Sequence, residues 1–202
     1  YFPELEALVG VQQDPEWHPE GDVWVHTGYC MNAFAENRWV LNSDEDKLLV
    51  GYATLLHDTG KATTTSVGED GRWHAYGHEA AGGEPTAAFL SRLTNQEEFI
   101  DQVIALVTNH MVPDAIYDGG QSVAAVRRLA NRVKRLDLLK VVVLNDKQGR
   151  PPIQAKVSEA LQWMTSVAKA LEIERNKPKP IMMGRHLIRS EEHTSELQSR
   201  FG

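Results

Sequence analysis

With 202 residues the chain has room for one domain with a sizeable core. Its 42% hydrophobic and 24% charged residues exclude a disordered or fibrous polymer, and with no apolar run of about 18 residues no membrane partner is expected. A net charge of −7 argues against a dominant nucleic-acid-binding surface, which needs an excess of Lys and Arg.

From the N-terminus, YFPELEALVG lacks the basic and apolar regions of a signal peptide, so a cytoplasmic location is expected. Apolar residues then recur at three- and four-residue spacing, with almost no strand alternation, which predicts an all-α fold, a compact multi-helix bundle. A first helix is expected from Asp22 to about Phe34, with Val23, Cys30, Met31 and Phe34 on one side. Cys30, the only cysteine, can form no internal disulfide and reads as a small buried apolar residue. Ser43 with Asp46 caps a second helix, whose stripe is Leu48, Leu49, Tyr52, Leu55 and Leu56 and whose stop is Gly60. A polar loop with a turn at Gly68 and Gly71 follows.

His78 to Leu93 forms a weaker helix, because Gly82, Gly83 and Pro85 raise its cost. Asn95 with Glu98 begins a clearer one, carrying Phe99, Val103, Leu106 and Val107 inward and ending near His110. Ser122 caps the next, with Val123, Val126, Leu129 and Val133 apolar and Arg127, Arg128, Arg132, Lys134 and Arg135 basic. That basic face is a solvated surface or a nucleic-acid contact. Leu136 to Asp146 continues until Gly149 and Pro151-Pro152, and a last helix is predicted over 154–174, with Val157, Leu161, Met164, Ala168 and Leu171 as its stripe. The expected division is a domain over 1–176, the start of an arm over 177–188, and a non-native tail over 189–202.

The histidines fall at helix ends or core-facing positions: His26 in the first helix, His57 ending the second, His78 opening the third and His110 ending the fourth, with Asp146 near the end of another. Singly, each is more often a hydrogen-bonded structural residue, and His57-Asp58 alone reads equally as a polar helix terminus. Together they can converge on one point of a bundle core, where imidazole and carboxylate suit Mn²⁺, Fe²⁺, Zn²⁺, Ni²⁺ or Co²⁺, and carboxylate with water suits Mg²⁺. Without thiolates a structural zinc site is disfavoured. Lys61 either pairs with a phosphate oxygen or favours the helix C-terminal dipole. His18, His74 and His186 read as surface or capping residues, and Trp17, Trp24, Trp39, Trp73 and Trp163 as packing residues.

The order His26, His57-Asp58, Asp146 resembles the H…HD…D signature of the HD-domain metal-dependent phosphohydrolases, an all-helical superfamily. The strings HPEGDVWVHT, LLHDTGK, YGHE, TNHMVPD and NDKQGRPP are similar to the HD region of bacterial tRNA nucleotidyltransferases, the CCA-adding enzymes, and PIMMGRHLI to the segment that follows it. The resemblance covers about Phe2 to Ile188. It implies that His26, His57, Asp58 and Asp146 hold a first divalent ion, and that His78 and His110 match second-ion positions with Asp58 able to bridge. With one ion only, these two histidines would contact phosphate or serve as acid for the leaving group. Asp58, Lys61, His78 and His110 are therefore the catalytic candidates. The implied activity is metal-dependent hydrolysis of nucleotide phosphomonoesters or 2′,3′-cyclic phosphodiesters, with a phosphorylated nucleotide or small phosphoester as partner. The alternative is an RNA-binding or vestigial HD fragment that positions tRNA.

Two departures from that pattern matter. The paired carboxylates in a Gly-Ser motif that the nucleotidyltransferases carry in an N-terminal head have no counterpart here, so nucleotide addition is not expected. From Arg189, RSEEHTSELQSR leaves the pattern abruptly and resembles translated sequencing-adapter sequence, which suggests a piece of a longer protein and is set aside from fold reasoning.

Overall fold

Side-chain caps set where several helices begin. In the computed structural model, which describes residues 2–153 and 157–175, a short α1 (Pro3–Glu6) precedes α2 (Val23–Asn37), whose cap Asp22 accepts the Val25 N–H at 2.8 Å. Ser43 accepts the Asp46 N–H at 3.0 Å to start α3 (Asp44–Leu56). The Asp46 carboxylate does not complete a reciprocal box but pairs with Arg135 at 2.9 Å. Next come α4 (Lys61–Thr64), an antiparallel hairpin of β1 (Ser66–Val67) and β2 (Trp73–His74), α5 (His78–Ala81), and α6 (Gly83–Ser91). The chain continues through α7 (Glu97–Val107), α8 (Val112–Asp118), α9 (Val123–Val133), α10 (Leu136–Gln148) and α11 (Glu159–Ala170). The all-α class is borne out, with this hairpin the sole sheet among the described residues.

α10 packs against both α2 and α3, which also pack on each other; α7 lies on α3 and α6, and α11 on α8. The core runs through Leu49, Val50, Ala53 and Leu56 of α3, Val103, Leu106 and Val107 of α7, Leu138, Leu139, Val142 and Val143 of α10, and Leu161 and Met164 of α11. No helix among the described residues is long and apolar enough to cross a membrane.

Several expectations need correction. Leu48 is 54% exposed, because the buried face of α3 is carried by Leu49, Val50, Ala53 and Leu56. Val123 and Val157 are also exposed, since each stands at or before a helix start, outside the packed turns. Asn95 caps nothing; α7 begins after Gln96, whose N–H is taken by Thr94 Oγ1. Pro113 does not merely follow a helix but sits in the first turn of α8, where its missing N–H costs little. The third predicted helix is divided at Gly82 into α5 and α6. The last starts at Glu159 under a Ser158 cap, and the earlier start predicted at 154 lies outside the described residues. The arm, the tail and His186 lie outside them too.

Gly60 is not the stop of α3. Where that helix ends, its last carbonyls are satisfied by side chains and a tightened turn: His57 Nδ1–H takes Thr54 O at 2.8 Å, and Leu56 O accepts from Thr59 Oγ1–H at 2.8 Å and Thr59 N–H at 3.1 Å. Gly60 has an ordinary helical φ of −66°, and its lack of a side chain serves a close approach instead. A Cβ there would meet the His78 carbonyl oxygen at 2.0 Å and the Gly82 nitrogen at 2.6 Å.

Candidate metal centre

Three histidines reach one point by the same local device. The Nδ1–H groups of His57, His78 and His110 donate to the carbonyls of Thr54 (2.8 Å), Ala75 (2.8 Å) and Val107 (2.6 Å), three residues earlier in each case. A carbonyl can only accept, so each Nδ1 carries a proton and each Nε2 is left to face inward. The Nε2 atoms of His78 and His110 stand 3.3 Å apart, and that of His57 is buried without a hydrogen-bond partner. Rings so arranged, when neutral, aim lone pairs at one another, an arrangement that a cation between them would relieve.

Asp58 lies at the junction. Its Oδ1 is 3.4 Å from His78 Nε2 and 4.0 Å from His110 Nε2, while Oδ2 is 3.3 Å from His57 Nε2 and 3.7 Å from His26 Nε2. Asp146 Oδ1 adds contacts of 3.2 Å to His26 Nε2 and 3.9 Å to His57 Nε2. The side chains therefore form two adjoining ligand groups, His26-His57-Asp146 and Asp58-His78-His110. Cys30 belongs with the first, its Sγ 3.3 Å from His26 Nε2, so it is more than apolar filling. Its thiol is pushed up to about 11 by burial, which keeps it protonated.

The charges agree with the geometry. Burial raises the carboxyls of Asp58 and Asp146. For Asp58 the nearby His57 and Lys61 outweigh it, and for Asp146 the His26 hydrogen bond and Arg150 do, so both stay ionised. Burial, then the neighbouring His57, pushes His110 down to about 4. Two carboxylates among imidazoles that present nitrogen lone pairs make a donor set suited to divalent cations. Burial also opposes charge on His26, but Asp146, Cys30 and Glu20 outweigh it and shift the ring toward its protonated form, a proton that a divalent ion at Nε2 would replace.

Glu20 was not among the expected residues. Its Oε1 accepts from His18 Nδ1 at 2.8 Å and lies 2.7 Å from His26 Nδ1, whose N–H is directed at the Gly149 carbonyl at 3.1 Å, so carboxylate and carbonyl together orient His26 from behind. Its only sequence signal is proximity to His18 and His26. Asn145 was missed as well. Wholly buried, it donates to Thr54 Oγ1 at 3.0 Å and accepts from Asn37 at 2.8 Å, tying α10 to α3 and α2 beside the three residues His26, His57 and Asp146. Asn145→Ala should cost about 1–3 kcal/mol in urea unfolding, the range for a disrupted buried hydrogen-bond pair; an unchanged midpoint would refute this bridging role.

Asp58, His78, His110 and Asp146 line a cleft of about 350 Å³, while His26 and His57 stand behind them. Lys61 reaches the same cleft, its Nζ 2.8 Å from Asp58 Oδ2 and 2.8 Å from Gln13 Oε1. Its reading as a C-terminal dipole partner is corrected, since Lys61 is the first residue of α4. Arg150, also unanticipated, lines the cleft with Nη2 3.7 Å from Asp146 and Nε buried without a partner. His18 is not a surface residue: it packs edge-on against His26, ring centroids 4.7 Å apart. His74, Trp17 and Trp73 line the mouth of the cleft rather than serving only as caps or packing. On the basic face, Arg132 donates to Asn109 at 2.9 Å and Arg135 is committed to Asp46 and Asp137, which leaves less cationic surface than five residues imply.

A helical bundle that gathers His26, His57-Asp58 and Asp146 into one buried group defines a class of metal-site proteins, and an HD-domain family model matches residues 25–144. The chain belongs to the HD-domain family. It is 31% identical over 192 residues to the A-adding tRNA nucleotidyltransferase of Deinococcus radiodurans, covering 93% of this chain and 42% of that protein. With the multifunctional CCA protein of Pasteurella multocida it shares 41% identity over 91 residues, 45% of this chain and 20% of the relative. For the Laribacter hongkongensis multifunctional CCA protein the figures are 34% over 158 residues, 74% and 36%. The chain thus spans less than half the length of these relatives.

Proposed function

We propose that the protein is a metal-dependent phosphohydrolase acting on nucleotide phosphomonoesters or 2′,3′-cyclic phosphodiesters. The observation that carries this reading is Asp58, whose two oxygens face two separate histidine pairs at the floor of an open cleft. On this reading His26, His57, Asp58 and Asp146 would hold one divalent ion, and Asp58, His78 and His110 would hold a second. Bound divalent metal supplies Lewis acidity toward a phosphoryl oxygen and toward water. Lys61 and Arg150 offer positive charge to the remaining phosphoryl oxygens, the guanidinium in a form suited to paired contacts. His110 fits the role of ligand better than that of acid, because its Nδ1 proton is committed to Val107 and burial keeps the ring neutral.

Purified protein supplied in turn with Mn²⁺, Ni²⁺, Co²⁺ or Mg²⁺ should release phosphate from nucleoside monophosphates, or open 2′,3′-cyclic AMP, and lose that activity on chelation. Folded protein that turns over neither substrate with any of these ions would overturn the reading. A second reading, tRNA positioning, draws on the names of the relatives and on exposed Arg128 in α9 and Lys134 just after it. Salt-dependent tRNA binding without phosphoester turnover would favour it.

A further inference from the structure

The polar floor of the cleft accounts for a phosphoester, but its rim is built of something else. Trp17 (59% exposed), Trp73 (37%) and Tyr76 (80%) open onto the same cleft as Asp58 and His78. Large aromatic side chains left in water at the mouth of a concave site gain by covering a flat apolar ligand.

Both walls of the rim are held in place. Trp17 stands in a turn closed by its own N–H to the Asp14 carbonyl at 3.1 Å, and Trp73 belongs to β2. Arg72, next to Trp73, ties one wall to the other: its guanidinium donates to Asp14 at 2.6 and 2.8 Å and to Glu16 at 2.6 Å. Beside them the rings of His74 and Tyr76 are stacked, centroids 4.9 Å apart and planes 10° from parallel, and the Asp70 carboxylate holds His74 Nε2 at 3.0 Å. The segments that carry these aromatic faces are therefore tied to each other before any ligand arrives.

We infer that Trp17, Trp73 and the His74-Tyr76 stack form a nucleobase subsite, so that the cleft takes one nucleotide unit with its phosphate on the floor and its base against the rim. This rests on the phosphohydrolase reading for the occupant of the floor. A volume of about 350 Å³ lies at the small end for ligand clefts, which suits a mononucleotide or a single terminal nucleotide rather than an extended strand.

The test is calorimetric binding of AMP and of ribose 5-phosphate, each as its non-hydrolysable phosphonate analogue, to the metal-loaded protein, with hydrolysis of 2′,3′-cyclic AMP assayed on the same samples. AMP should bind at least about tenfold more tightly, since stacking of one base on an aromatic face supplies that much or more. Trp17→Ala and Trp73→Ala should each bring the preference toward unity, and Trp17→Phe should restore it. Melting curves establish that the variants fold. Equal binding of the two ligands, or a preference unchanged in both alanine variants, overturns the subsite even if hydrolysis is brisk. A base preference without hydrolysis upholds the subsite and sinks the phosphohydrolase reading instead. An RNA ending in a 2′,3′-cyclic phosphate, run beside the free cyclic nucleotide, shows whether the base comes from a strand end or a free molecule; tight binding of either supports the subsite, and of neither refutes it.

Discussion

Asp58→Ala is expected to leave a folded protein that retains no stoichiometric divalent ion and turns over phosphoesters more than about a hundredfold more slowly. The size follows from position. Removing a residue that only orients a metal ligand typically costs 10–100-fold in affinity or activity, whereas Asp58 faces both ligand groups, Oδ2 toward His57 and His26 and Oδ1 toward His78 and His110. Its loss deprives each group of a negative ligand at once. The variant also strips Lys61 of its carboxylate partner, and breaking a buried ion pair can cost about 3–5 kcal/mol. The actual loss should be smaller, because Lys61 Nζ borders the cleft and can turn toward water. Metal content by elemental analysis, melting in chelator and turnover in added metal check the three parts. Unchanged metal content would show that Asp58 is an ordinary polar terminus of α3.

That outcome bears on what the sequence could and could not convey. Helix periodicity, together with Ser43 and Ser122 as caps, located the main helices, because those signals are local. The convergence of His26, His57, Asp58, His78, His110 and Asp146 was legible from their order, since each follows or opens a buried stripe and so faces the core. Glu20, Asn145 and Arg150 were not legible. Asn145 acts through Thr54 and Asn37, far along the chain, so no local pattern marks it; Glu20 and Arg150 act on near neighbours, His18, His26 and Asp146, but nothing local shows that their side chains turn toward them. The aromatic rim was misread because Trp17 and Trp73 have no shared periodicity and come to line one cleft only in the folded chain, where Arg72 binds Asp14 across 58 positions. Whether Leu48 or Val50 would be buried likewise depended on which face of α3 meets α7 and α10.

Gly60→Ala sets two effects of opposite sign against each other. The residue is helical, with φ −66°, and replacing glycine by alanine at a compatible φ usually stabilises by about 0.4–1 kcal/mol through the unfolded chain. Against this, the added Cβ would stand 2.0 Å from the His78 carbonyl oxygen and 2.6 Å from the Gly82 nitrogen, and these are backbone atoms that cannot rotate aside. Overpacking typically costs about 1–3 kcal/mol, occasionally more, and a rigid backbone obstacle belongs at the upper end. The steric term wins, so the variant should lose about 2 kcal/mol or more in urea unfolding. Relief requires α4 and α5 to separate, which carries His78 away from Asp58 and His110 and should weaken metal binding at that group more than at His26, His57 and Asp146. Gly28→Ala supplies the contrast: it lies within α2, its Cβ would meet no heavy atom within 4 Å, and the same substitution there should stabilise. If Gly60→Ala also stabilises, the close approach that seats His78 beside Asp58 is not what makes glycine necessary at that position.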